Sequence, residues 1–233
     1  YNKAGNYLRK RSVDNIIREL AAVKRQFPEI RLINSYDEIF ISDLAFAREF
    51  AAKYKKAIGI PFSCSANLTL LTEDNVSVMA DAGLVLVSCG VEAFSEDVRR
   101  NVYGRNMTNQ MIREKAGLLN RFGISLTYDF IYDNPLESGK DMEHCFWDLV
   151  VNLPRPCSFG NYSLSYLPKT DLTERFLREG RIRQEDVVGH CANILTQWKA
   201  TQSFQRERDA SFWMLVYHLY SLELDSNAEC AAI

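Results

Sequence analysis

Residues 84–97 read LVLVSCGVEAFSED: an apolar run that breaks at Cys89-Gly90-Val91 and then presents a carboxylate, Glu92. A short apolar run of this length, bounded by turn signals, describes a strand buried on both faces, the kind found in parallel sheets. Just upstream, Thr72 with Glu73 and Asp74 looks like a helix start. Gly83 stands where a left-handed residue closes that helix. The order is therefore helix, glycine, strand, acid. Glu92 lies beside a glycine and has no basic residue in the next few positions, so its presence at the end of a buried run needs a reason.

Working outward, the same alternation recurs in both directions. Upstream, Ser12 is an N-cap for a helix carrying Val13, Ile16, Ile17, Leu20 and Val23 at helical spacing as far as Phe27. The β-rich run IRLINSYDEIF follows and ends near Asp37-Glu38. Residues 43–56 then read as helix, and KAIGIPFSCSAN as a second strand. Downstream, TNQMIREKAGLLNRFG is a helix closed by Gly123, and ISLTYDFIY is a strand. Met142, Cys145, Phe146, Leu149, Val150 and Leu153 mark another amphipathic helix. FGNYSLSYL is a fifth strand, before a helix with Val187, Val188, Cys191, Ile194, Leu195 and Trp198. An aromatic segment at about 211–222 closes the pattern.

Strands separated by amphipathic helices mean βαβ units and an α/β fold. The expected architecture is a partial (β/α) TIM-barrel-like parallel sheet of about five strands, helices outside. Residues 1–180 would form the barrel core and 181–233 a C-terminal helical extension packed on it. No GxGxxG follows a strand and no GxxxxGK[ST] is present, which weighs against the nucleotide-binding open sheets.

Composition removes other classes. A formal charge of −2 over 233 residues offers no electrostatic reason for a nucleic-acid partner. Six cysteines in a chain this long do not suggest a disulfide scaffold, so a reducing, cytoplasmic setting is expected. No stretch approaches the ~20 apolar residues of a membrane span. The chain opens on Tyr1 rather than methionine, which reads as a piece of something longer.

In parallel α/β folds, binding groups gather beyond the C-terminal ends of the strands. Asp37 and Glu38 follow the first strand, Glu92 the third, and Asp129 lies within the fourth. Right-handed crossovers would bring them to one mouth, where acids want a cationic or hydroxyl-rich partner. Arg105 and Tyr103 follow Glu92 and could supply a cation and a flat face. One acid after a strand is ordinarily a cap or a surface group, but a cap explains Glu92 poorly because Ser95 is the better one. Asn134-Pro135 reads as a turn signal. Tyr128 and Tyr132 alternate with Asp129, so only one set can face the barrel interior.

LTEDNVSVMADAGLVLVSCGVEAFSEDVRRNVYGR, residues 71–105, closely resembles the central stretch of radical S-adenosylmethionine (SAM) enzymes, in the group that often carries an upstream cobalamin-binding domain. YDFIYDNPLES and SLSYLPKT look like later strands of that group. The likeness runs from about Ser12 to Gly180. It implies S-adenosylmethionine as cofactor: Asp37 and Glu38 meeting its amino group, Glu92 facing the ligand, Arg105 holding its carboxylate and Asp129 its ribose. Leu164 to Leu167 would meet the adenine. It also implies reductive cleavage of S-adenosylmethionine to a 5′-deoxyadenosyl radical at a [4Fe–4S] cluster, with cobalamin-dependent methyl transfer or rearrangement as an outcome. The substrate, a small molecule or a peptide, stays open.

The departures are as informative. The family's cluster sits on a CxxxCxxC loop, and cluster iron needs several thiolates converging at once. Cys64, Cys89, Cys145, Cys157, Cys191 and Cys230 include no two within ten positions. They read as structural, and His144, His190 and His218 lack ligand spacing. No metal ligand is therefore assigned within the chain. Ala93 replaces a frequent serine, and Cys64-Ser65 stand where relatives can carry an acid. The economical expectation is a core lying downstream of the cluster loop and inactive alone. A barrel lacking a strand exposes an edge, to be covered by the helix with Phe212, Trp213, Leu215 and Val216 or by a second copy of the chain. The alternatives are a cluster-less barrel serving as a binding or scaffold module, and an unrelated barrel whose rim acids hold a metal.

Overall fold

Five strands form one sheet in chain order: β1 (Ile33–Ser35), β2 (Phe62–Ser65), β3 (Leu84–Glu92), β4 (Ser125–Tyr132) and β5 (Cys157–Ser163). They are seen in a computed structural model that describes residues 11–37, 39–41, 43–187 and 208–221. β1 with β2, β2 with β3, and β4 with β5 pair in parallel. Parallel neighbours need a crossover, and helices supply it. The sheet does not close on itself, so the partial-barrel expectation holds. The described residues divide into two compact units: those up to Ser88 with Leu118–Ser125, and Cys89–Gly117 with those from Leu126 onward.

The first unit carries α1 (Val13–Gln26), α2 (Leu44–Ala57) and α3 (Glu73–Ala82). Each begins where a short polar side chain satisfies an orphan N–H. Ser12 accepts from Asn15, Asp43 from Phe46, and Thr72 forms a reciprocal box with Asn75. Gly83 closes α3 at φ 105°, a conformation that disfavours a Cβ. α2 packs against both α1 and α3. Its inner face brings Phe50 and Tyr54 onto Phe62 of β2, with ring centroids 4.9 to 5.6 Å apart.

The second unit contains α4 (Glu96–Asn101), α6 (Gly139–Asp148), α7 (Asp171–Arg178) and α8 (Arg208–Ser221); α5 (Asn109–Arg121) precedes β4. Its core is aromatic. Tyr217 of α8 is fully buried, with its ring 5.4 to 6.5 Å from those of Phe94, Phe130, Tyr132, Phe146 and Phe159. Its hydroxyl donates to the Met142 carbonyl at 3.1 Å. Burying such a ring is worth about 1.5–3 kcal/mol. α8 therefore rests on α6 and β5 through Tyr217 and Trp213, while Phe212 and Leu215, expected to face inward, are more than half exposed. The expected helix through Val188, Cys191, Ile194, Leu195 and Trp198 lies outside the described residues.

Burial along β4 alternates strictly. Tyr128, Phe130 and Tyr132 are fully buried on one face; Thr127, Asp129 and Ile131 are half-buried on the other. The pleat thus directs the tyrosines into the helix-covered core and Asp129 away from it. In β3, Cys89 and Val91 join the buried face, and Gly90 and Glu92 the open one. β5 ends at Ser163, short of the expected Leu167, because Leu164 and Tyr166 leave the ladder to pack with Phe176 and Ile182.

Candidate functional site

Glu92 is the last residue of β3 and adopts φ 71°. A left-handed conformation at a non-glycine residue costs on the order of 1 kcal/mol, so the surroundings must hold it. The chain then turns into α4, capped by Ser95, and runs through Gly104 at φ 64° to Arg105. The Arg105 Nη2 donates to Glu92 Oε1 at 2.7 Å. Inside this loop lies Arg99, fully buried. Its Nη2 donates to the carbonyl of Ala93 at 3.0 Å, its Nη1 to that of Met107 at 2.8 Å and to Asn109 Oδ1 at 3.0 Å. One guanidinium thus pins the residues following both partners of the ion pair.

Two glycines make room for two acids. A Cβ on Gly90 would lie 2.0 Å from Glu92 Oε1, and one on Gly160 would lie 2.1 Å from Asp129 Oδ1. Gly160 stands directly across the ladder from Asp129. Each carboxylate therefore folds over a bare stretch of backbone. This answers why a buried run ends on an acid beside a glycine: the missing side chain is the space that the acid fills.

The electrostatics follow. Burial pushes the Glu92 carboxyl above its ordinary range, the negative charge of Asp129 raises it further, and Arg105 pulls it back. Glu92 thus lies within electrostatic reach of both a cation and a second acid. Such a trio suits a ligand that brings an ammonium or sulfonium, hydroxyls and a carboxylate. On the same face of β4 and β5, Thr127 and Ser158 hydroxyls hydrogen-bond at 2.8 Å and Tyr162 is exposed.

Of the residues picked out in the sequence, Glu92, Arg105 and Asp129 come together. Asp37 belongs to the first unit, where it is exposed just past β1, its N–H directed at the Ser35 hydroxyl. Glu38 lies outside the described residues. Leu164 is buried in the cluster with Tyr166, Phe176 and Ile182, and Leu167 is exposed. Sequence reasoning passed over Arg99 and Glu137. An RR pair after a helix cap carries no sign of burial, and Glu137 sits in a turn with no periodicity.

A family model described as the radical SAM superfamily matches residues 1–146, well over half the chain. The chain belongs to the radical SAM superfamily. Similar solved structures include the radical S-adenosylmethionine methyltransferase TsrM from Kitasatospora setae, with cobalamin and a [4Fe–4S] cluster bound. It is 14% identical with a TM-score of 0.55, over 65% of this chain and 31% of that one. The coproporphyrinogen III oxidase HemN of Escherichia coli is 15% identical with a TM-score of 0.55, over 82% and 44%. The cobalamin-dependent S-adenosylmethionine radical enzyme OxsB is 20% identical with a TM-score of 0.52, over 76% and 26%. These likenesses speak for the fold. The chain spans less than half the length of each of those proteins. No curated protein matches it.

The donor set of the Glu92 cluster fits S-adenosylmethionine. The four cysteines among the described residues do not fit an iron–sulfur cluster. Cys64, Cys89, Cys145 and Cys157 are all buried. Burial pushes the Cys64 thiol up to about 12 and that of Cys145 to about 11, the reverse of what a ligating thiolate needs. Among the described residues no group of His, Cys, Asp and Glu is arranged to hold a metal ion. Nor is any described helix long and apolar enough to cross a membrane.

Proposed function

We propose that this radical SAM chain binds S-adenosylmethionine at the open face of β3 and β4, through Glu92, Arg105 and Asp129. The observation that carries this is the carboxylate–guanidinium–carboxylate cluster set into the space of two glycines. Arg105 commits one nitrogen to Glu92, and a guanidinium has five N–H donors, enough to take a ligand carboxylate as well. Glu92 offers its charge to the ammonium side of the ligand. Asp129 accepts from a ribose diol, and the segment Leu164–Leu167 supplies apolar contact to adenine. Bound there, S-adenosylmethionine supplies a sulfonium centre whose carbon–sulfur bond yields to one-electron reduction. The intact protein's reaction is read as that reductive cleavage, with cobalamin-dependent methyl transfer or rearrangement downstream, acting in the cytoplasm on a small-molecule or peptide substrate. The dimer through an exposed sheet edge is part of the same reading.

Isothermal titration of the full-length protein with S-adenosylmethionine and with S-adenosylhomocysteine tests it. Arg105→Met and Asp129→Asn are expected to weaken both ligands at least about tenfold, the scale of one charge-assisted hydrogen bond, with circular dichroism unchanged. Wild-type protein that binds neither ligand, or variants that bind as wild type does, would refute it.

A further inference from the structure

The turn between β4 and α6 holds both flanks of the Glu92–Arg105 pair. On one side, Glu137 Oε1 accepts from the Ser95 N–H at 2.7 Å, and the Phe94 N–H also supports that carboxylate. These amides lie two and three residues past the left-handed Glu92. On the other side, Asn134 Nδ2 donates to the Tyr103 hydroxyl at 3.2 Å, two residues before Arg105. The turn is itself fixed: Asn134 Oδ1 accepts from Leu136 N, Asp133 (φ 63°) accepts from the Ser163 hydroxyl, and the Tyr166 hydroxyl donates to the Asp133 carbonyl at 3.0 Å. The second carboxylate oxygen of Glu137 is buried and has no hydrogen-bond partner.

We propose that Glu137 is a positioning residue for the Glu92–Arg105 pair: its carboxylate clamps the backbone of Phe94 and Ser95 and so sets where Glu92 presents its acid to a ligand. It touches no ligand itself. This rests on the ligand site proposed above. A clamp made of one carboxylate on backbone amides responds to its own charge, because an ionised acceptor binds N–H more strongly than a neutral one. The groups that face it are Arg99 of α4, Tyr103, Asp141 and Cys145 of α6, and Tyr217 of α8. Burial, with a lesser push from Asp141, carries the Glu137 carboxyl up to about 7 against the pull of the Ser95 and Phe94 amides and of Arg99. The clamp thus changes charge near neutrality.

Three variants of the full-length protein read this out. Glu137→Ala removes the acceptor; Glu137→Gln keeps an acceptor oxygen but never ionises; Asp141→Asn removes a neighbouring charge while keeping an oxygen that can accept from Ser138 at the start of α6. In the wild type, the amide proton signals of Phe94 and Ser95 are expected to titrate with a midpoint near the Glu137 value of about 7. The S-adenosylmethionine Kd should tighten several-fold as pH rises through that point. Glu137→Gln should abolish both titrations and hold the affinity at the weak end, and Asp141→Asn should move the midpoint down. Glu137→Ala should weaken binding about tenfold, as expected for losing one buried charged acceptor, and shift the Arg105 guanidinium resonances. A Glu137→Gln protein with the wild-type pH profile, or a Glu137→Ala protein with unmoved Arg105 signals, overturns the proposal. If the wild type binds no S-adenosylmethionine, the function reading fails while the Arg105 and amide signals still decide the clamp.

Discussion

Replacing Gly90 with alanine separates the ligand site from the fold. The new Cβ would lie 2.0 Å from Glu92 Oε1, 2.8 Å from its Cδ and 3.4 Å from Arg105 Nη2. All three are side-chain atoms, so the backbone can stay and the Glu92 carboxylate must swing away from Arg105. The ion pair lost is partly sheltered, with side-chain exposures of 16% for Glu92 and 38% for Arg105, and such pairs contribute about 1 kcal/mol or less. Moving Glu92 off its rotamer adds about 0.5–1.5 kcal/mol. Loss of glycine's unfolded-state freedom returns about 0.4–1 kcal/mol. The net destabilisation is about 1 kcal/mol, a fall in Tm of about 2–4 °C for a domain of this size. Ligand affinity should fall far more, about 10- to 100-fold, because a charge-assisted contact of about 1.5–3 kcal/mol is displaced. Differential scanning fluorimetry and isothermal titration with S-adenosylmethionine measure the two numbers on one preparation. Gly104→Ala, where a Cβ meets nothing within 4 Å but the φ is 64°, is the control: some stability lost, affinity kept. A Gly90→Ala protein that binds like wild type would show that the Glu92 carboxylate is not where the ligand needs it.

Other perturbations probe the scaffold. Arg99→Met strips the donors from two backbone carbonyls and Asn109 and should cost about 3 kcal/mol in urea unfolding, with an unchanged midpoint as the refuting result. Tyr217→Ala should cost about 3–5 kcal/mol and Tyr217→Phe about 1 kcal/mol; equal losses would contradict an anchor made mainly of ring packing. For Glu137, the folded-state carboxyl is raised from 4.5 to about 7, so the stability attached to its neutral form is complete below about pH 4.5 and is lost as pH rises through 7. The loss amounts to about 3 kcal/mol, and Glu137→Gln should remove that part of the slope. Superimposable stability–pH curves for wild type and variant would show that the carboxyl is not buried.

Local chemistry explains how far the sequence could be read. The caps at Ser12, Thr72 and Ser95 and the closing glycines at 83 and 123 depend on neighbours a few residues away, and all are where the pattern put them. The alternation of Tyr128 with Asp129 follows from the pleat alone. Glu92, Arg105 and Asp129 were picked out because strand ends in parallel folds face one way, and the family resemblance named the same three. Glu137 was not legible, since its role is made by an amide 42 positions earlier in the chain. Arg99 failed for the opposite reason: arginine is so seldom fully buried that the bland reading is normally right. Tyr217 replaced the expected Phe212 and Leu215 because a short aromatic helix offers apolar residues on every side, and only the partner surface selects among them.

β4 divides its labour by parity, and this matters to anyone who wishes to retune the protein. Tyr128, Phe130 and Tyr132 are locked into an aromatic lattice, and changing any of them disturbs several neighbours at once. On the opposite face Ile131 packs on the Leu164 cluster and Gly160 leaves room for Asp129, whereas Thr127, Asp129 and Ser158 stand outside that aromatic lattice. A combinatorial library confined to Thr127, Asp129 and Ser158 would explore new ligand chemistry while the aromatic lattice beneath went on assembling as before.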